Sequence, residues 1–468
     1  MDSLLRDSQE VGRVPRTKTT NASWPIFTST DEDFEKRWAD ASTRAPRSLS
    51  PSASKKARGK IQKVRRSGDK ALLALLPLNC EQVLKTLEVS SEEWDRGCEA
   101  VAGSDRAALG KAAMRVRDFH RKRIPGSWEV REEGGAFMGQ RVRPLSRVGL
   151  VSSSEVALEP SQIIMYAAPA SAVEVPEISL AVAPDSTGEV RAEILMAARL
   201  AGVHRVFKMS GVEAMAAFAW GTDQVPRVEK MVAPGEPEIE MAKSELQVDA
   251  GILTHSELTE LCVVADKTAT PAWLATDLLA HAQMGERACG ILITHCKALP
   301  ARVESQIQTQ LKTLSGSKKW QRTLASRFAF VVTRSLSESI ELADRYAPEH
   351  LAATVENPDK VLRGVHNAGT ILLGHYTPPA VGGVLAGPSS VVPSGGASRF
   401  ASPLGAEDFL KKSHFVQFEA SKLRELGHDA IRLSELDGLG ARGASVELRL
   451  KRIRRARRER EVAREAEL

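Results

Sequence analysis

From Gly139 onward, short apolar runs alternate with amphipathic stretches of helical length, and that alternation limits what the chain can fold into. RVGLVSS, ISLAVAP, RVFKMSG and VEKMVAPG are interleaved with the helical stretches EVRAEILMAARLAGV, VEAMAAFAWG and EIEMAKSEL. A second series sets LCVVAD, CGILITHC and FAFVVT between PAWLATDLLAHAQMG, ALPARVESQIQTQLKTL and SLSESIELADRY. Apolar strands joined by helices of about 10 to 15 residues form βαβ units in mainly parallel sheets. Two such series predict an α/β protein with two Rossmann-like doubly wound domains and small helical extensions at both ends.

The remaining chain sets the expected boundaries. Residues 1–50 are polar and broken by proline, and read as a disordered or leader segment. The first Rossmann-like domain is expected from 51–149 and 260–403, and the second from 150–259. Ser90-Ser91-Glu92-Glu93 carries the signal of a helix N-terminus. The Gly-, Pro- and Ser-rich segment from Thr377 to Pro403 lacks helical period, and a loop of that length inside a compact protein is either functional or disordered. The chain then returns to helix at AEDFLKKSHF and SKLRELGHDAIRLSEL, giving a C-terminal extension over 404–448 and a basic helical tail over 449–468.

Composition narrows the function classes. No stretch reaches the roughly 18 uninterrupted apolar residues of a membrane span. The five cysteines form no CxxC pair and read as buried thiols in a reducing compartment. The N-terminal residues lack a secretory core, and Asp2, Asp7 and Glu10 weaken a transit reading, so cytoplasm or plastid stroma is expected rather than secretion. The net charge of +6 comes from RLKRIRRARRER, Arg449 to Arg460, which holds eight basic residues and one acidic residue; the rest of the chain is about neutral. A nucleic-acid or acidic partner for this tail competes with the ordinary reading of a solvated helix.

GxxxxGK[ST] does not occur, and the single GxGxxG, Gly438 to Gly443, lies outside the two alternating series. The one acid/base pair with local context is Glu349-His350, in Ala347-Pro348-Glu349-His350-Leu351, where proline fixes the turn before it. Its bland alternative is an exposed turn carrying two unrelated polar side chains. None of the ten histidines forms HExxH. His281 and Met284 share a helix face, but a thioether is a poor zinc ligand, and packing explains both. GPSSVVPSGGAS suits either an anion cradle of backbone N–H groups or a flexible connector.

Taken in order, GQRVRPLSRVGLV, AARLAGVHRVFKMSG, WGTDQVP, VVADKTATP, DLLAHAQMGE, YAPEHL, NAGTILLGHYTP and SRFASPL resemble histidinol dehydrogenase, over roughly Lys55 to Arg449. The resemblance implies a homodimer whose terminal extensions exchange between subunits. It further implies zinc-assisted oxidation of an amino alcohol, L-histidinol, to L-histidine with reduction of NAD, and it makes Glu349 and His350 the acid/base pair. The family's zinc-ligand positions hold His281, Met284, Gly383 and Arg442 here. Its substrate-binding positions hold Thr259, Ser390 and Asp437, and its cofactor positions Val151, Glu213 and Glu236. Its cofactor turn aligns with Val151 to Glu155 and lacks two glycines. Two glutamates facing a pyrophosphate repel it unless a cation intervenes. The expectation is therefore a relative whose zinc site is not retained and whose reaction is lost or altered. The alternative is a catalytically silent binding, scaffolding or regulatory protein.

Overall fold

The computed structural model describes residues 24–44, 51–74, 86–153, 158–256, 258–314 and 317–466. The chain opens with β1 (Ile26–Thr28), α1 (Phe34–Ser42), α2 (Pro51–Ser67), α3 (Asp69–Leu73), α4 (Ser91–Ala100) and α5 (Gly103–Arg121). A pair of strands, β2 (Trp128–Glu132) and β3 (Ala136–Pro144), leads into the first alternating series. That series is β4 (Arg147–Val151), α6 (Pro160–Ala172), β5 (Glu177–Val182), α7 (Ala192–Ala201), β6 (Arg205–Lys208), α8 (Gly211–Trp220), β7 (Lys230–Gly235), α9 (Pro237–Leu246) and β8 (Gly251–Ser256). The second begins with β9 (Glu260–Ala265), α10 (Pro271–Gln283), β10 (Cys289–Thr294), α11 (Leu299–Leu311), α12 (Ser317–Arg327), β11 (Phe328–Val332) and α13 (Leu336–Tyr346). It finishes with β12 (His350–Thr354), α14 (Pro358–Gly364), β13 (Thr370–Leu373) and the short α15 (Pro379–Gly382). Last come β14 (Leu410–Phe418), α16 (Ala420–Leu436) and α17 (Gly440–Ala466).

Both alternating series form wholly parallel sheets. The first gives five strands in the order β6-β5-β4-β7-β8, with α5, α6 and α7 packed on one face and α2, α8 and α9 on the other. The second gives β11-β10-β9-β12-β13, with β1 added at the β11 edge. Strands such as β9, β10 and β11 are buried at every position, as a sheet covered on both faces requires. In each sheet the strand order reverses once, between β4 and β7 and between β9 and β12. No helix among the described residues is long and apolar enough to cross a membrane.

Three expectations change. Residues 24–44 belong to the fold: Ile26–Thr28 pairs with Phe330–Val332, and Trp24, Phe27 and Trp38 are buried, so apolar anchors outweigh the polar composition around them. Residues 51–121 do not join 260–403; α2 lies on α8 and α9, and α4 and α5 lie on α6 and α7, so they complete the other sheet's cover. The segment AEDFLKKSHF is not helical. After one 3₁₀ turn, Leu410–Phe418 runs antiparallel to β3 along its full length, in a three-stranded sheet ordered β14-β3-β2. That nine-residue ladder outweighs helix propensity in a segment ending in His, Phe, Val, Gln and Phe.

Other expectations hold. Ser90 caps α4 by accepting from Glu93 N at 3.1 Å. The tail is helical within α17, and its cations pair along the helix: Lys451 with Glu447, Arg455 with Glu459 and Arg457 with Glu461, all within 2.9 Å. Such exposed pairs are screened by water and contribute little to stability.

Candidate active site

Helix α13 ends at Tyr346 because Ala347 turns into the left-handed region at φ 52°, and Pro348 cannot continue a helix. Glu349 follows, and His350 is the first residue of β12. The two side chains are neighbours in space as well as in sequence: His350 Nε2 lies 3.4 Å from Glu349 Oε1. Glu349 is buried and His350 is half-buried, so this is not an exposed turn with unrelated side chains. An imidazole beside a fixed carboxylate can accept a proton from a hydroxyl while the carboxylate balances the charge.

Two residues that the sequence did not single out hold Glu349. The Glu260 N–H donates to Glu349 Oε2 at 2.9 Å, and the Glu349 N–H donates to Glu260 Oε2 at 3.3 Å. Glu260 is wholly buried, forms an ion pair with Arg44 at 2.6 Å and accepts from Gly395 N at 2.7 Å. Burial raises the Glu260 pKa and Arg44 works against that rise. Neither residue has a local motif, because Arg44 and Glu260 are 216 positions apart. Thr259, the substrate position of the resemblance, directly precedes this pair, and its carbonyl accepts from Cys289 N at 2.9 Å.

The zinc-ligand positions separate into two groups. His281 is buried at the end of α10, close enough to the site for the Glu349 and His350 charges to reach it. Burial depresses its pKa to about 4, and its Nε2 has no hydrogen-bond partner. Met284, just past the helix, is 66 % exposed. Gly383 follows α15, which packs on α10, and a Cβ built on it would stand 3.9 Å from Ser390 Cβ. Arg442 lies elsewhere, at the α16–α17 junction, where it pairs with Asp437 at 3.3 Å; that helical pair packs on β14. One imidazole, one thioether, one glycine and one guanidinium do not make a zinc site. Among the described residues, no group of three or more His, Cys, Asp or Glu is placed to hold a metal ion.

The cofactor positions gather at the strand-order reversal between β4 and β7, the end of an open parallel sheet where ligands bind. Val151 ends β4; Glu213 lies in the first turn of α8; Glu236 is the residue before α9. Both glutamates are buried. The structure supplies the cation that the sequence left open. Lys60 of α2 places Nζ 3.5 Å from Glu213 Oε1 and 2.9 Å from Glu238 Oε2. Desolvation pulls the Lys60 pKa down, but the bonds to Glu238 and Glu213 outweigh it and leave the group raised. Glu236 lies near the wholly buried Tyr166, whose hydroxyl is pushed up by burial and by that carboxylate. The two helix starts that would attract a pyrophosphate thus already carry the protein's own carboxylates, a poor fit to a dinucleotide. Ser154 and Glu155, the rest of the cofactor turn, lie outside the described residues.

The family model of histidinol dehydrogenase matches residues 44–450. Histidinol dehydrogenase of Geobacter sulfurreducens is 40% identical over 395 residues, covering 84% of this chain and 92% of that protein. The enzyme of Geobacter metallireducens is 41% identical over 395 residues, covering 84% and 90%. Among solved structures, histidinol dehydrogenase from Elizabethkingia anophelis superposes with a TM-score of 0.84 at 23% identity, covering 92% of this chain and 99% of that one, a likeness of fold.

Proposed function

The chain belongs to the histidinol dehydrogenase family, and from that premise we propose that it is an altered member, keeping the proton-transfer couple but not the zinc-assisted oxidation of L-histidinol by NAD. The observation that carries this reading is the contrast within one site. Glu349 and His350 are paired and braced, whereas the ligand positions offer a single imidazole, His281, which burial keeps neutral above about pH 4. His350 would take the proton of a small polar substrate, with Glu349 compensating the charge. His281, uncharged, would offer that substrate a hydrogen bond in place of a metal contact.

The working form would be a homodimer. Trp128, Val130, Val416 and Phe418 on the outer strands and Leu433, Leu436 and Leu439 near the α16 end are exposed apolar side chains that a second copy would cover. Exchange of the C-terminal helices would carry Asp437 and Arg442 to the second copy, supplying a carboxylate and a cation where the resemblance places its last ligand. The four cysteines among the described residues are free, which suits a reducing compartment such as cytoplasm or plastid stroma.

A specific observation favours the silent alternative: Glu213 is paired with Lys60, and Asp437 with Arg442, so altered polar positions are satisfied within the protein. The test is metal content and NADH formation on one chelator-rinsed, zinc-resupplied sample given histidinol. We expect no stoichiometric zinc and no histidinol-dependent NADH. Zinc at one per chain with turnover would overturn the reading. Glu349→Gln and His350→Ala then separate the two versions: loss of the biological role supports altered chemistry, and an intact role supports the silent relative.

A further inference from the structure

The parallel ladder between β9 and β12 has its first regular partners at Leu261 and His350. One residue earlier stand Glu260 and Glu349, and there the ladder is extended by side chains. Each backbone N–H donates to the carboxylate of the opposite residue, at 2.9 and 3.3 Å. Two buried amides thereby find acceptors, as buried N–H groups must. The arrangement brings two buried carboxylates together, which is unfavourable unless a cation joins them.

Arg44 is that cation. Besides its ion pair to Glu260 Oε1 at 2.6 Å, its Nη2 reaches Glu260 Oε2 at 3.3 Å. The same nitrogen donates to the carbonyls of Tyr346 and Ala347, and the guanidinium lies 4.4 Å from the Tyr346 ring centroid. Arg44 therefore grips both Glu260 and the strained left-handed turn that delivers Glu349. Gly395, from the Ser- and Gly-rich loop, completes the hold on Glu260.

The geometry points to Glu260 and Arg44 as a positioning pair for Glu349: the Glu260 N–H holds Oε2, and the Glu260 carboxylate, anchored by Arg44, holds the Glu349 backbone, so that Oε1 remains turned toward His350. Glu260 is wholly buried and acts through Glu349. Without the Glu260 carboxylate, the Glu349 N–H loses its acceptor and Arg44 its ion-pair partner, and nothing then holds the Glu349 backbone in place beside the imidazole. The other ionisable groups around the pair include His281, Cys262, Cys289 and Tyr346, all buried and neutral near pH 7. Arg399 flanks Arg44 across Gly396, but its guanidinium is engaged by the Arg345 and Gly396 carbonyls.

This inference rests on the reading of Glu349–His350 as the proton-transfer couple, and its test needs no turnover. The imidazole carbon and nitrogen signals of His350, assigned by their loss in His350→Gln, are recorded in the full-length protein at one pH. Glu260→Ala is expected to displace them, and Glu260→Asp, which keeps a carboxylate for Arg44, Gly395 and Glu349, to return them toward their native positions. Arg44→Gln should displace them as well, and it carries the test if Glu260→Ala does not fold. Unmoved His350 signals in folded Glu260→Ala or Arg44→Gln would overturn the inference, as would equal displacement in Glu260→Asp and Glu260→Ala. If the couple itself is idle, these displacements persist while Glu349→Gln leaves the biological role intact, so the two failures are separable.

Discussion

Lys60 and Glu213 form a bridge between α2 and the first turn of α8, at 3.5 Å, with the Lys60 ammonium shared by Glu238 at 2.9 Å. The Glu213 side chain is 11% exposed, so removing Lys60 would leave a buried carboxylate without its ion-pair partner. Removing one member of such a pair costs more than the pair contributes. Lys60→Met should lower stability by about 1–3 kcal/mol in urea unfolding, and adding Glu213→Gln should recover part of the loss. A Lys60→Met protein within experimental error of the native one would mean that Glu213 is hydrated instead.

Two buried imidazoles make the fold sensitive to acid. Burial holds both His120 and His281 near pKa 4, below the ordinary value of 6.5. Between those values the unfolded chain binds more protons, so stability is full above about pH 6.5 and declines as pH falls toward about 4. His281 alone accounts for at most about 3 kcal/mol of that decline. Melting temperature should fall steeply across this window, and His281→Gln should flatten the slope. An unchanged slope would assign the acid sensitivity to other groups.

Gly369 allows the loop after α14 to pass close to the site. A Cβ there would stand 2.1 Å from Val392 Cγ1 and 2.9 Å from the Glu349 carbonyl oxygen. Gly369→Ala should cost about 1–3 kcal/mol through forced displacement, and it should also disturb the His350 resonances. Loss of stability with undisturbed resonances would show the strain being absorbed on the Val392 side alone.

The exposed leucines Leu433, Leu436 and Leu439 belong to the segment proposed to exchange between subunits. Sedimentation should find a dimer, and Leu433→Glu with Leu436→Glu should shift it toward monomer at micromolar concentration. A native monomer, or a double variant that still sediments as a dimer, would place the subunit contact elsewhere.

Periodicity carried the parallel sheets because strands covered on both faces are apolar throughout, and every strand read from such a run is present. It did not reveal β8, β12 or β13 of the same sheets, and two further strands escaped it, β1 and β14. The first is three residues long, and the second has charged and apolar residues mixed along an exposed edge that only its pairing with β3 defines. Glu349 and His350 were legible as neighbours in sequence. Glu260 and Arg44 were not, since their meaning arises where β9 and β12 meet the N-terminal segment. The cation beside Glu213 was hidden likewise: nothing local ties Lys60 to α8, and only the packing of α2 on α8 and α9 does so.

The edge pairing of β1 with β11 also bears on how the protein is made. Ile26 leaves the ribosome early and Phe330 late, yet the two are register partners. The β4–β8 sheet is contiguous in sequence, from Arg147 to Ser256, and can close on the emerging chain. Arg44, by contrast, must await Glu260 and the Tyr346 turn, and Glu260 must await Gly395. The acid/base site is thereby assembled late, and a nascent chain halted before Gly395 would hold every strand of both parallel sheets but not the loop that completes the hold on Glu260.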